Sequence, residues 1–246
     1  MLADPEVRER YDLIGEIEKI TTRMSHNLDH VQSATDKAIR VAEMLVPFSA
    51  ELNGGNFVRV DNGMLNTIKI AGLLHDVGIY DEENGTARKN DHGKRSHKWV
   101  KGYLQDKNVD DGTKESILEA VLNHSEGSDK LVGKIIAFAD KMDVRRERVF
   151  VTPTAKDDKD RWQYRNILDT DFSVKKGVLI VNYSTDGKLD KSSFAQNNIQ
   201  KKQVSLTESL ANHFGLEYCF LMDGEMWLGA ELGLSDKKFD FPLQIR

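Results

Sequence analysis

Apolar and small residues recur every three or four positions through the first 150 residues of the chain. In one segment they include Ala34, Ala38, Val41 and Leu45, and Pro47 ends the pattern. Four further segments show the same spacing, at residues 65–74, 99–104, 117–122 and 131–144. A stripe of apolar residues at this spacing predicts an amphipathic helix that buries one face. This part of the chain is therefore predicted to fold as a bundle of α-helices.

The pattern changes after Val151. Residues 153–160, PTAKDDKD, are charged and typical of a linker. Beyond them, GVLIVNY is rich in β-branched residues, a long amphipathic stretch stops at Gly215, and LEYCFLM and EMWLGAEL are predicted to be two further strands. The predicted fold is mainly α: a helical domain at 1–152, the linker, and a small α+β domain at 161–246.

The composition favours a soluble cytoplasmic protein. The net charge of -5 gives no reason to expect nucleic acid or a membrane surface as a partner. The one cysteine, Cys219, excludes an intramolecular disulfide and fits a reducing compartment. The first twenty residues lack the pattern of a signal peptide, and no apolar run approaches the roughly 18 residues of a spanning helix.

The segment GLLHDVG places His75 and Asp76 at the end of an apolar run. Burying an unpaired carboxylate is costly, so Asp76 requires a compensating charge. Helical spacing puts His30, His124 and Asp140 on the same faces as apolar residues of their own segments. A single histidine in such a place is most often a satisfied core residue. Several histidines and two aspartates facing one core are better explained by a divalent transition metal, which imidazole and carboxylate both suit.

These residues resemble the H…HD…D pattern of the HD-domain metal-dependent phosphohydrolases. His30 lies in NLDHVQSA, His75 and Asp76 in LLHDVG, and Asp140 in AFADKMD. The segments DHGKRSHKWVKGYL and VLNHSEG are similar to two intervening histidine segments of members that bind two ions. The resemblance covers about residues 25–150. It implies an HD-domain helical bundle, in which these four residues bind a first divalent ion.

The resemblance also implies a second ion, bound by Asp76, one histidine of the middle segment and His124. Two histidines compete for the middle position. In similar proteins small residues follow the ligand four and five positions later, which favours His92 and leaves His97 to line the pocket. The cofactor is thus predicted to be one or two divalent ions of Mn, Fe, Zn, Ni, Co or Mg.

One departure from the family concerns phosphate binding. Many relatives continue the HD-x-G motif with lysine, whereas Gly78 is followed here by Ile79. If that lysine contacts phosphate, another cation must replace it. Lys94 and Arg95 are predicted to do so, and the alternative is that they are solvated loop charges. The predicted catalytic residues are Asp76, Lys94, Arg95 and His97.

Substrate binding is predicted for His26 and Arg145. His26 lies four residues before His30 and therefore on its face, although it could instead cap the helix. Arg145 follows the DKMD segment, where a positive charge would also favour the helix dipole. In the same segment, Asp143 could either orient a metal ligand as a hydrogen-bond acceptor or form a surface ion pair.

The reaction implied is hydrolysis of a phosphate ester or anhydride, by a phosphomonoesterase or phosphodiesterase. Two ions bridged by Asp76 would make a hydroxide available at neutral pH. The expected substrate is a nucleotide or a related small phosphorylated compound, and a homo-oligomer stays open. The chain has no Walker-type loop and no G-x-G-x-x-G run, which argues against kinases and dehydrogenases. Two alternatives remain: an HD-type di-iron oxygenase, and a non-catalytic nucleotide sensor or scaffold.

Overall fold

The structure is a computed structural model that describes residues 4–21, 24–48, 60–87, 90–149 and 163–227. The described helices are α1 Pro5–Thr21, α2 Leu28–Leu45, α3 Asn62–Leu74, α4 His92–Tyr103, α5 Asp111–Asn123, α6 Leu131–Met142, α7 Lys191–Ala195 and α8 Asn198–His213. Short 3-10 turns cover Val46–Phe48, Val77–Ile79, Arg146–Arg148 and Gln163–Asn166. The described strands are β1 Tyr80–Asp81, β2 Thr86–Ala87, β3 Ile167–Lys175, β4 Val178–Thr185, β5 Glu217–Met222 and β6 Glu225–Met226. The predicted fold class, a helical bundle followed by a small α+β unit, is confirmed.

The N-terminal part is a helical bundle around α2, α3 and α6. Helix α2 begins after Asn27, whose side chain accepts a hydrogen bond from the backbone N–H of His30, a favourable N-cap. The helix ends at Leu45, just before the predicted stop at Pro47. Helix α2 packs against α3 and α6, and α5 contacts α3, α4 and α6. This packing brings the ends of five helices toward one buried region.

A short hairpin follows α3 and its 3-10 turn. Tyr80 pairs with Ala87 and Asp81 with Thr86 in a short antiparallel hairpin. Its turn contains Gly85 with a φ of 60°, a conformation that glycine adopts readily. The hairpin leads into α4 and thereby fixes where that helix begins.

The C-terminal unit is a four-stranded sheet in the order β3-β4-β5-β6 with two helices on it. Strands β3 and β4 form a hairpin whose turn residues, Lys176 and Gly177, both have positive φ, as a two-residue type I′ turn requires. Strands β4 and β5 are parallel, and α7 and α8 make the crossover between them. The predicted single amphipathic stretch is broken at Asn197, whose side chain caps α8. Only Glu225–Met226 of the predicted EMWLGAEL strand is strand within the described residues, since the description stops at residue 227.

The helical part and the sheet share one hydrophobic core. The rings of Phe138 in α6 and Phe172 in β3 meet edge to face, with centroids 5.5 Å apart. The side chain of Gln203 in α8 donates a hydrogen bond from Nε2 to the carbonyl of Lys141, at 2.6 Å. The predicted linker at 153–160 lies outside the described residues, so the predicted domain boundaries stay a prediction. No helix in the described part of the chain is long and apolar enough to cross a membrane.

Candidate metal centre

Six histidine and aspartate side chains converge from the ends of five helices. His30 lies in the first turn of α2, and His75 and Asp76 directly follow α3. The remaining three are His92, the first residue of α4, His124, directly after α5, and Asp140, in the last turn of α6. All six are buried except His92, which is partly buried. These are the six residues that the sequence predicts as metal ligands.

The first group consists of His30, His75, Asp76 and Asp140. One ligand atom from each lies within 4.8 Å of the others. Nε2 of His30 is 3.4 Å from Oδ2 of Asp76 and 3.2 Å from Oδ1 of Asp140. Nε2 of His75 is 3.3 Å from the same Asp76 oxygen. Two imidazole nitrogens and two carboxylates therefore surround one point.

The second group consists of Asp76, His92 and His124. Oδ1 of Asp76 lies 3.3 Å from Nε2 of His92 and 3.2 Å from Nε2 of His124. The hydroxyl of Ser125 is 3.1 Å from both imidazole nitrogens. Asp76 thus turns Oδ2 toward the first group and Oδ1 toward the second. A carboxylate with this division of its oxygens can bridge two ions.

The imidazole tautomers show that the groups suit a cation. Nδ1 of His30 contacts Oδ2 of Asp143 at 2.8 Å, and Nδ1 of His75 and of His124 contact the carbonyls of Gly72 and Val121, each at 2.7 Å. Because carboxylates and carbonyls only accept hydrogen bonds, each Nδ1 must carry the proton. In the neutral rings, each Nε2 then points a lone pair at a carboxylate.

Such an arrangement is repulsive unless a positive charge lies between the atoms. Nε2 of His30, Nε2 of His75 and Oδ2 of Asp76 are buried and form no hydrogen bond within the described part of the chain. Unsatisfied buried polar atoms are uncommon and require an explanation. A divalent ion satisfies all three at once, and imidazole and carboxylate are suitable ligands for it.

The electrostatics prepare the groups for cation binding. Burial raises the pKa of Asp76, but His75, His124 and His30 outweigh it and hold that pKa well below its usual range. Burial lowers the pKa of His124 to about 4, so this ring is neutral at physiological pH. Burial and Arg148 also lower the pKa of His30, but the neighbouring carboxylates of Asp140, Asp143 and Asp76 raise it to about 9. A cation that binds at His30 must therefore displace a proton.

Asp143 orients the ring of His30 through its Nδ1 atom. Its Oδ1 accepts hydrogen bonds from Ser33 Oγ at 2.8 Å and from Arg145 Nε at 2.7 Å, while Oδ2 accepts from His30. Asp143 is fully buried, so the alternative of a surface ion pair is wrong. Outer carboxylates of this kind fix the tautomer and the ring orientation of histidine ligands.

The other predicted site residues lie outside the two groups. Lys94 forms an ion pair with Asp91 at 2.8 Å, and its side chain is 77% exposed. Arg95 donates hydrogen bonds to the carbonyls of Gly78 and Asn90, so its guanidinium braces α4 against the turn after the HD pair. His97 is partly buried in α4 and belongs to neither group. Their catalytic roles stay predictions.

Arg145 lines a cavity of about 540 Å³ between α2 and the 145–148 segment. Lys37 and Arg40 also line it, together with acidic residues that include Asp36. His30 is the one member of the two ligand groups among the lining residues. Three other lining residues, Ser33, Arg145 and Arg148, donate hydrogen bonds to Asp143.

One cation beside the groups was not predicted as a site residue. The ammonium of Lys141 contacts Oδ2 of Asp140, and its side chain is partly exposed. It follows Asp140 directly in the sequence, in the last turn of α6. His26 is also partly exposed, and its ring meets the ring of His30 edge to face, with centroids 5.5 Å apart.

Comparisons with known proteins find one family and several solved structures that resemble this chain. The HD domain family model matches residues 36–145, a range that contains five of the six grouped residues and starts after His30. Eight solved chains match this chain. One is the crystal structure of a predicted HD superfamily hydrolase from an uncultured Thermotogales bacterium, which is 22% identical, covers 65% of this chain and 87% of its own, and has a TM-score of 0.38. No curated protein matches the chain. Residues 36–145 of this chain are therefore similar to the HD domain family.

Proposed function

We propose that the protein is a metal-dependent hydrolase of phosphate esters or anhydrides, with a nucleotide or a related small phosphorylated compound as substrate. The observation that carries this proposal is the division of the Asp76 carboxylate, with Oδ2 beside His30 and His75 and Oδ1 beside His92 and His124. When bound, two divalent ions at such a site supply Lewis acidity to phosphoryl oxygens and lower the pKa of water.

The protein contributes fixed geometry and a local positive charge. His30, His75 and His124 are held by the hydrogen bonds that their Nδ1–H groups donate, so their Nε2 atoms need no reorganisation on binding. Lys141 places an ammonium beside Asp140 at the partly exposed rim of the first group. That position suits an anionic substrate, and Lys141 is our proposed replacement for the lysine that many relatives have after the HD-x-G motif.

The test combines metal analysis with a substrate panel. Purified protein should contain divalent metal by elemental analysis, and Mn²⁺-loaded protein should release phosphate from at least one compound in a panel of nucleotides and sugar phosphates. Chelation and Asp76→Asn should each abolish that release. Failure to bind any divalent ion would exclude the proposal. Oxygen-dependent turnover by iron-loaded protein without phosphate release would also overturn it and favour the di-iron oxygenase.

A further inference from the structure

The side chain of Gln203 links the C-terminal unit to the last turn of α6. Gln203 lies on α8 and is fully buried, and its Nε2 donates a hydrogen bond to the carbonyl of Lys141 at 2.6 Å. The last four carbonyls of an α-helix have no partner within the helix, and the Lys141 carbonyl is one of them because α6 ends at Met142. Gln203 therefore caps the C-terminus of α6 from another part of the chain.

The orientation of the Gln203 amide is fixed by a buried hydroxyl. The hydroxyl of Tyr183, in β4, lies 3.0 Å from Oε1 of Gln203 and 3.2 Å from Oε1 of Gln200, and all three side chains are fully buried. Because the hydroxyl donates to the oxygen of Gln203, the NH₂ group of that amide faces the Lys141 carbonyl. Burying polar groups costs free energy unless they are hydrogen-bonded, so a network of this kind specifies one arrangement.

The turn that Gln203 caps carries a ligand of the first group. Asp140 directly precedes Lys141 in α6. Its Oδ1 lies 3.2 Å from Nε2 of His30 and 3.8 Å from Nε2 of His75. A shift of the Lys141 carbonyl would move the backbone that carries the Asp140 side chain. The ligands of a site must be held within about 0.5 Å of the productive geometry, so the position of this turn affects metal binding.

We infer that Gln203 is a positioning residue of the metal centre, which holds the last turn of α6 so that Asp140 faces the other ligands of the first group. The inference rests on the divalent ion of the proposed function and not on its substrate. It gives the C-terminal unit a role in metal binding, although Gln203 lies outside the residues matched by the HD domain model. Metal affinity, and not stability alone, should therefore depend on this contact.

Gln203→Met tests this role, and Gln200→Met is its matched control. Methionine has a similar length and donates no hydrogen bond, so Gln203→Met leaves the Lys141 carbonyl without this donor. Nε2 of Gln200 forms no hydrogen bond among the described residues, so Gln200→Met removes no hydrogen bond to α6. In each variant the Tyr183 hydroxyl keeps the other glutamine as its acceptor.

The first measurement is the affinity of the first group for Mn²⁺, by competition with a chelating dye. It is made in the His92→Ala background, which keeps all four side chains of the first group and lacks one of the three of the second. Gln203→Met should weaken binding by about three- to thirtyfold, as is typical of substitutions that act through a packed network. Gln200→Met should bind Mn²⁺ as the background does. Equal affinities of the two variants would overturn the inference, whatever their Tm values.

The second measurement uses wild-type protein and so does not depend on whether a variant folds. The side-chain NH₂ signal of Gln203 in the nitrogen-15 spectrum should shift when Zn²⁺ binds, because its acceptor belongs to the turn that carries Asp140. The NH₂ signal of Gln200 should shift less. A Gln203 signal that stays unchanged on Zn²⁺ binding would mean that the contact is structural only, and the positioning role would be wrong.

The outcomes separate this inference from the proposed function. If wild-type protein binds no divalent ion, both fail. If wild-type protein hydrolyses a phosphorylated compound and Gln203→Met binds Mn²⁺ as tightly as Gln200→Met, only the present inference fails. If Gln203→Met alone loses affinity but wild-type protein turns over no phosphorylated compound, the inference stands and the proposed function fails.

Discussion

The Nε2 atoms of His92 and His124 lie 2.8 Å apart, and each is just over 3 Å from Oδ1 of Asp76. The Nδ1–H of His124 is donated to the carbonyl of Val121, so its Nε2 carries a lone pair. Two imidazole nitrogens and one carboxylate oxygen therefore converge at one point. A cation bound there would be attracted to all three, and this is the basis for predicting a second ion.

His92→Ala should remove the second ion and leave the first. It deletes one of the three side chains of the second group. His97→Ala is the matched control, because His97 lies in the same helix but belongs to neither group. Elemental analysis after equilibration with Mn²⁺ should show a lower metal content for His92→Ala than for His97→Ala. A greater loss in His97→Ala would mean that the middle ligand is His97.

Helix positions could be predicted from sequence, but the partners of the charged side chains could not. The spacing of apolar residues was sufficient to place His30 and Asp140 on buried faces of α2 and α6. The spacing of apolar residues contains no information on which lysine or arginine side chain lies beside those faces. Lys94 was predicted near the site because it is close to His92 in sequence, yet it pairs with Asp91 on the surface, while Lys141 contacts Asp140.

Strand β3 is a second element whose contacts could not be predicted from the sequence. Its segment ILDTDFSVK has charged residues at alternate positions, and it was not predicted as a strand. Asp169 and Asp171 face Lys37 and Arg40 of α2, which gives these charges partners across the two parts of the chain. Phe172 packs on Phe138 from the other side of the strand. The strand is stabilised by tertiary contacts that local composition does not reveal.

Lys141→Met should impair substrate binding more than metal binding. It removes the ammonium beside Asp140 while keeping an unbranched apolar stem of similar length. We expect a rise in KM for anionic substrates of about tenfold, as loss of one charge-assisted hydrogen bond predicts. Lys94→Met is the control because its ammonium pairs with Asp91 on the surface. Equal kinetics for the two variants would exclude Lys141 from phosphate recognition.

Asp143→Asn should weaken the first metal site without removing a ligand. Asn has one acceptor oxygen for the three donors that Asp143 serves, namely His30, Ser33 and Arg145. Loss of the partner that orients a histidine ligand typically costs about 10- to 100-fold in metal affinity. Competition titration with a chelating dye measures this. Asp169→Asn, at an exposed ion pair with Lys37, should leave the affinity unchanged.

The metal-free protein should lose stability as the pH falls from about 6.5 to about 4 because of His124. Burial lowers the pKa of this ring from 6.5 to about 4, so within this window the unfolded chain binds a proton that the folded protein excludes. The loss is on the order of 3 kcal/mol at most. The raised pKa of His30 affects stability in a different pH range. The stabilisation from protonated His30 is lost as the pH rises from 6.5 toward about 9.

Urea denaturation of metal-free protein at several pH values tests this linkage. The pH dependence between 4 and 6.5 should be shallower in His124→Gln than in wild type. His97→Gln, which changes a histidine outside both ligand groups, should keep the wild-type slope. Identical slopes in all three proteins would show that His124 is not excluded from protonation in the folded state.

Gly78→Ala should destabilise the protein and remove the second ion in preference to the first. A Cβ at Gly78 would lie 2.5 Å from the carbonyl oxygen of His92 and still closer to the backbone nitrogen of Ser96. Both contacts are with the backbone of α4, so the helix that carries His92 would have to move away from Asp76. Overpacking of this kind typically costs about 1–3 kcal/mol. Gly102→Ala, in the same helix but with no atom within 4 Å of its Cβ, should be neutral or stabilising. Thermal unfolding and metal analysis of the two variants measure these effects. A stable Gly78→Ala protein with full metal content would show that close packing of α4 is not required for the second site.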